Sequence, residues 1–354
     1  METNELPTIK ISVVGPPNSG KTTLISLLYE YMKNISVSDD TFEISCPKYK
    51  NKRQLEDYLS IILHDKVLPK TWIEGDKYEF DFSIKTSDRI INQKIEFYDV
   101  DGDIINEWYD NNVVYEKDKY GIEKKTLKTF RKHLHESQIL LLPTDMPVIM
   151  EDDSPKFIKS HSALGYNHIK SIAIDWRNYR NEKSSEISFA HVVMTKCETY
   201  YNHENRNIVI CEERVKECFK GILEELFKAK CGVLYTPVFI SGFKVFNKDK
   251  STWKQIDKIT WRYDEGFDDC HRHKPFGVND IWNSIFDIMA YNMSRYLKDG
   301  LGKQTLFSFG KDETKEIAIK AIDFFMKIME LKTENINDNF NYNKFLKPIW
   351  KKNT

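Results

Sequence analysis

The sequence predicts an α/β fold: a mainly parallel sheet with one antiparallel hairpin strand, helices on both faces, large insertions and extra C-terminal helices. Three observations predict it. Short β-branched or apolar runs alternate with longer periodic runs over most of the chain, the signature of strands joined by crossover helices. Several of those short runs, such as ILLLP and AHVVM, are apolar at nearly every position, as strands buried on both faces are. Only 14 glycines and 11 prolines interrupt 354 residues, so the regular elements can be long.

The elements follow in order. Ile9–Gly15 (IKISVVG) is a buried strand, and Lys21–Met32 a helix with Leu24, Leu27, Leu28 and Tyr31 on one face. Tyr78–Ile84 alternates apolar and polar residues and pairs as a hairpin with Lys94–Val100 across the polar segment Ser87–Asn92. Lys119–Glu136 is a charged amphipathic helix leading into the strand Ile139–Pro143. Ala190–Thr195 is a further strand, Arg214–Lys230 a helix, and Val238–Ser241 the last strand. Asn279–Leu297 and Lys311–Leu331 are helices. Long polar stretches over 34–71, 146–188, 200–207 and 243–275 read as insertions and loops. The expected organisation is one domain over 1–297 and a helical extension with an Asn- and Lys-rich tail over 298–354, whose aromatics suit a docking segment.

Composition excludes several classes. Hydrophobic residues make up 40% and aromatics 13%, enough for a large core and against global disorder. The 53 basic and 54 acidic residues cancel, so overall charge points to neither nucleic acid nor an anionic membrane. No run reaches the length of a spanning helix, and METNELPTIK lacks the basic-then-apolar pattern of a secretory signal. The six cysteines are scattered with no CxxC pair, which suits reduced thiols in the cytoplasm.

The strongest motif is Gly15-Pro16-Pro17-Asn18-Ser19-Gly20-Lys21-Thr22, which fits GxxxxGK[ST] between a strand and a helix. Successive backbone N–H groups and the helix N-terminus of such a loop favour phosphate. Gly15 and Gly20 permit the close turns, and Lys21 adds a full charge from what reads as a solvent-facing loop. Thr22 offers a hydroxyl to Mg²⁺, and Thr23 follows on the same turn. The second motif is Asp99-Val100-Asp101-Gly102 at the end of a strand. Asp99 can hold Mg²⁺, and the Gly102 N–H can sense a γ-phosphate.

These residues resemble the TRAFAC class of P-loop GTPases, with their Ras-like fold. The order is a phosphate loop, a threonine before a hairpin strand, DxxG, and a base motif. The resemblance implies that Thr71, just before Tyr78–Ile84, is the switch threonine that contacts Mg²⁺, with Thr41 as the alternative. It implies that Thr195-Lys196-Cys197-Glu198 is the base motif, Lys196 packing along the base and Glu198 reading guanine. The family's acid there is Asp; the extra methylene of Glu198 leaves guanine specificity open. Ser241-Gly242 corresponds to the last base-contacting loop. Asp103 stands where Ras-like relatives have a water-orienting Gln, which implies slow hydrolysis.

Within the class, GPPNSGKTTL, the LPxTW segment before YEFDF, YDVDGD and the PFG before a C-terminal helix are most similar to the double-GTPases of bacterial conflict and antiviral defence systems. Asn18 is similar to the Asn of the potassium-activated tRNA-modification GTPases, which makes K⁺ a second candidate cation. The resemblance thus implies GTP and GDP as ligands and a protein effector or a second copy as partner. Two alternatives stand beside it: an ATP-dependent P-loop enzyme, and an interaction scaffold with a vestigial site.

Weaker signals favour bland readings. Cys270-His271-Arg272-His273 has no partner motif and reads as a polar loop. His133 and His135 read as solvated, Asp145 as part of a structural turn, and the lysines of Pro47–Arg53 as a solvated loop.

Overall fold

The computed structural model describes residues 2–36, 42–46, 48–63, 76–85, 89–100, 102, 105, 108, 124–183, 186–197, 208–229, 231–238, 253–255, 261–263 and 277–303. It divides the chain into two compact units, 1–292 and 293–354. The second is described only through Lys303, as helix.

The first unit is built on a seven-stranded sheet of order β2-β3-β4-β1-β5-β6-β7. Its strands are β1 (Glu2–Val13), β2 (Phe42–Ser45), β3 (Asp76–Lys85), β4 (Arg89–Asp99), β5 (Ile139–Asp145), β6 (Phe189–Thr195) and β7 (Gly232–Pro237). The pairs β1–β4, β1–β5, β5–β6 and β6–β7 are parallel, while β3 runs antiparallel to β2 and β4. The expected mainly parallel sheet with one reversed hairpin strand is therefore the observed architecture. A separate antiparallel pair, β8 (Trp253–Gln255) and β9 (Trp261–Tyr263), lies in the stretch expected to be a loop.

The helices are α1 (Lys21–Ser36), α2 (Tyr49–Leu63), α3 (Lys124–Glu136), α4 (Met146–Met150), α5 (Ile158–Ala163), α6 (Tyr166–Glu182), α7 (Ile208–Cys218), α8 (Lys220–Leu226) and α9 (Val278–Lys303). One sheet face meets α1 and α9. Tyr29 stacks on Phe80 at 5.7 Å, Phe97 meets Trp282 at 6.5 Å, and the Trp282 indole N–H donates to the Leu28 carbonyl. The other face carries Leu140, Leu142, Val192 and Met194 against Phe130 and Leu134 of α3, Ile172 and Trp176 of α6, and Ile222 of α8. Trp176 is fully buried and its N–H donates to the Ser137 carbonyl, so each face seats its large indole without an unpaired donor.

Several elements differ from expectation. β2 and α2 form inside 34–71, where α2 hides Leu55, Tyr58 and Leu59 beneath an otherwise charged surface. α4, α5 and α6 form inside 146–188, and α6 buries Ile169, Ile172, Ala173, Trp176 and Arg180. That spacing is a helical stripe, hidden in sequence by the polar residues around it. The strand beside β6 is Gly232–Pro237, where Gly232 N–H bonds the Ser188 carbonyl and fixes the register; of the expected strand Val238–Ser241 only Val238 lies within the described residues. Tyr31 is only partly buried, whereas Ile25, Tyr29 and Met32 join the core. His133 is buried rather than solvated: it faces Glu96 at 3.2 Å and stacks by Tyr98. His135 stacks on Tyr179 and bonds Asp175. The segments Lys311–Leu331 and Cys270–His273 lie outside the described residues.

His191 bridges β6, β7 and α9, with Nδ1 2.9 Å from the Thr236 hydroxyl and Nε2 2.9 Å from the Ser284 hydroxyl. Full burial pushes its pKa down to about 3, so the folded state holds it neutral. An unfolded chain protonates it below about pH 6.5. This contribution to stability is complete above that pH and is lost as the pH falls toward 3. The expected loss between pH 7 and pH 5 is about 2 kcal/mol. Chemical denaturation of wild type and His191→Gln at both pH values checks it, since the variant's loss should be smaller by that amount.

Candidate functional site

The carboxyl ends of four parallel strands meet at one edge of the sheet. β1 runs into the phosphate loop, β4 ends at Asp99, β5 at Asp145 and β6 at Thr195. Ligands of open α/β sheets bind outside this edge.

The loop's shape follows from its residues. Val13 and Val14 anchor it in the core, and the Val14 N–H donates to the Leu141 carbonyl at 2.9 Å. Asn18 (φ 63) and Gly20 (φ 87) take left-handed backbone, which glycine and asparagine accept most readily. The Gly20 carbonyl accepts from Leu24 N–H. This begins the helical ladder of α1, whose N-terminus faces the loop. Gly15 has no room for a side chain: a Cβ would sit 2.6 Å from Ser19 Oγ and 2.8 Å from the Pro143 carbonyl.

Lys21 departs from expectation. It is buried, and its ammonium donates to the Gly15 and Pro16 carbonyls at 2.9 Å each. The lysine closes over its own loop and is not extended into solvent. The Thr22 hydroxyl donates to Asp99 Oδ2 at 2.7 Å, and both residues are buried. A hydroxyl and a carboxylate side by side are hard oxygen donors of the kind Mg²⁺ takes, so the residues present fit that ion. Gly102 packs directly on the loop, since a Cβ there would lie 2.3 Å from the Pro17 ring.

On the other side, the Thr195 hydroxyl lies 2.9 Å from the Ser19 carbonyl and 3.0 Å from the Thr144 carbonyl. The end of β6 is thereby tied to both the phosphate loop and β5. Lys196 follows in left-handed backbone (φ 58) and pairs with Asp145, both buried. Burial pushes the Asp145 carboxyl above its ordinary range, against the opposing pull of Lys196.

The structure therefore brings together Gly15, Pro17, Asn18, Ser19, Gly20, Lys21, Thr22, Thr23, Asp99, Gly102, Thr195 and Lys196 at one sheet edge. Thr41, Thr71, Asp103, Glu198, Ser241 and Gly242 lie outside the described residues. Asp145, read in the sequence as part of a structural turn, stands between β5 and α4 and pairs with Lys196 at this edge. Its only signal was an acid directly after the apolar run ILLLPT, which reads equally well as a turn. Among the described residues no group of three or more His, Cys, Asp or Glu forms a further metal cluster, and no helix is long and apolar enough to cross a membrane.

No protein-family model matches the chain, and no curated protein matches it. Among solved structures it is similar to the GTP-bound GTPase-like domain of S. cerevisiae Ski7, at 12% identity and a TM-score of 0.33. The likeness covers 82% of this chain and 51% of that one, about half its length.

Proposed function

We propose that the protein is a Mg²⁺-dependent nucleotide switch that binds GTP and hydrolyses it slowly. The observation that supports this reading best is the phosphate loop itself. A strand-to-helix turn with left-handed Asn18 and Gly20 carries a buried lysine folded over it, beside a Thr22–Asp99 oxygen pair. On this reading Lys21 exchanges its two loop carbonyls for phosphate oxygens, and the N–H groups at the start of α1 complete the anion site. Thr22 and Asp99 would hold Mg²⁺, with Thr71 as the further proposed ligand; the ion supplies charge neutralisation on the phosphate oxygens. Gly102 then signals the γ-phosphate to the segments around Thr71 and Asp103, and a protein effector or second copy reads the result. The conflict or defence role belongs to the same proposal and is checked by comparing phage survival with wild type and Lys21→Ala.

Titration with fluorescent GTP and ATP analogues, with and without Mg²⁺, tests the reading. Tight Mg²⁺-dependent GTP binding supports it. Equal affinity for both favours the ATP-dependent enzyme, and binding of neither leaves the scaffold. Glu198→Ala is expected to narrow the GTP-to-ATP affinity gap, because a carboxylate that pairs with guanine's two donors discriminates strongly. Unchanged selectivity in that variant removes Glu198 from the base site.

K⁺ is proposed as a second cation beside Asn18, whose side chain is exposed at the loop's outer turn. A cation there would offset charge on the β–γ bridge as an arginine finger does. GTP hydrolysis should then be faster in KCl than in NaCl at equal ionic strength, and the difference should vanish in Asn18→Ala. Equal rates in both salts for wild type assign Asn18 a turn-forming role alone.

A further inference from the structure

Asp145 sits where an aspartate ordinarily serves the helix that follows it. It is the residue before α4, in extended backbone, and a carboxylate there usually accepts N–H bonds from the first turn. Its side chain makes no such capping bond. Oδ2 turns instead toward the neighbouring strand and pairs with the Lys196 ammonium, while Oδ1 is buried without a hydrogen-bond partner. The Val148 N–H of that first turn is the smallest of the influences on the carboxyl, behind burial and Lys196.

Stability is a poor explanation for this pair. A buried ion pair is often no better than an apolar pair of the same size, because two charges must be desolvated. The left-handed backbone of Lys196 costs a further ~1 kcal/mol or more in a residue with a Cβ. A chain that forgoes a helix cap, strains a backbone and buries two charges gains something else, namely a fixed place for one ammonium.

That place is beside the phosphate loop. Thr195, one residue earlier, is tied to the Ser19 and Thr144 carbonyls. Asp145 and Thr195 face each other across the β5–β6 ladder. Lys196 is thus held from the strand through Thr195 and from its own tip through Asp145. Among the described residues the edge then carries the buried cations Lys21 and Lys196 and the buried carboxylates Asp99 and Asp145. With Asp145 neutralising Lys196, the second cation is kept off the phosphates.

We infer that Asp145 is the positioning residue that holds Lys196 along the flat face of a purine nucleotide bound at this edge. The inference rests on the nucleotide-binding reading above and adds a base-side pair that selects nucleotides over bare phosphate chains.

The test compares GTP with Mg²⁺–tripolyphosphate, which has the phosphates and no base, on the full chain. Asp145→Asn keeps the side chain's size and removes its charge. The expected result is a tenfold or greater fall in the ratio of GTP affinity to tripolyphosphate affinity; an unchanged ratio overturns the inference. Because a lone buried ammonium can prevent folding, the double variant Asp145→Asn with Lys196→Met removes both charges. Its ratio should equal that of Lys196→Met alone, and any further loss means that Asp145 acts by another route and overturns the inference. A wild type that binds tripolyphosphate as tightly as GTP overturns it while leaving phosphate binding in place. A wild type that binds neither overturns the nucleotide-binding reading itself.

Discussion

Lys21→Ala is expected to weaken GTP binding tenfold or more in a chain that still folds. The ammonium is the one full positive charge inside the phosphate loop, and a charge-assisted hydrogen bond contributes ~2–3 kcal/mol. Burial changes what else the variant does. Lys21 also bonds the Gly15 and Pro16 carbonyls, so its removal leaves two loop acceptors to water, with an expected loss of about 1–2 kcal/mol in stability. Calorimetric titration with GTP, beside a thermal melt, separates the two effects. A folded variant with wild-type affinity would sink the phosphate-site assignment.

Gly277→Ala is expected to destabilise the fold by about 3 kcal/mol, the combined scale of a forced left-handed residue and an overpacked contact. Gly277 has φ +86, and a Cβ there would lie 1.7 Å from the Pro237 carbonyl oxygen. That oxygen is backbone at the end of β7 and cannot swing aside as a side-chain tip would. Either β7 or the start of α9 must move. Behind Gly277 stand Val278, Ile281, Trp282 and Ile285, all buried, so a displaced α9 disturbs one whole face of the sheet. Denaturant midpoints of wild type and variant measure the effect, and equal midpoints would contradict the close approach. Gly277, the last residue of the PFG segment noted in the sequence as a family-like signature, thus has a mechanical role in this fold.

Glu96 follows the same electrostatic logic on a smaller scale. Burial alone would raise its pKa, but hydrogen bonds from His133 and Lys77 outweigh it and bring it down to about 2. Histidine 133 was legible only as one of two histidines on a charged helix. What makes it interior is the sheet beneath α3, where Glu96 and Tyr98 project to the same side of β4.

The sequence by itself determined the phosphate loop, the strand before it, the helix after it, the hairpin and the acid at its end. All are contiguous in the chain, so hydrophobic period, glycine placement and charge could be read locally. Sequence could not see α2 and α6, whose buried stripes lie among many polar residues, nor place β7, whose register depends on Ser188 in a different strand segment. Only the tertiary structure decided that Lys21 is buried, that Thr195 ties two strands to the loop, and that Asp145 belongs to Lys196 rather than to its own helix. Those pairings join residues about 50 to 176 positions apart, and their strength comes from burial that no short window of sequence contains.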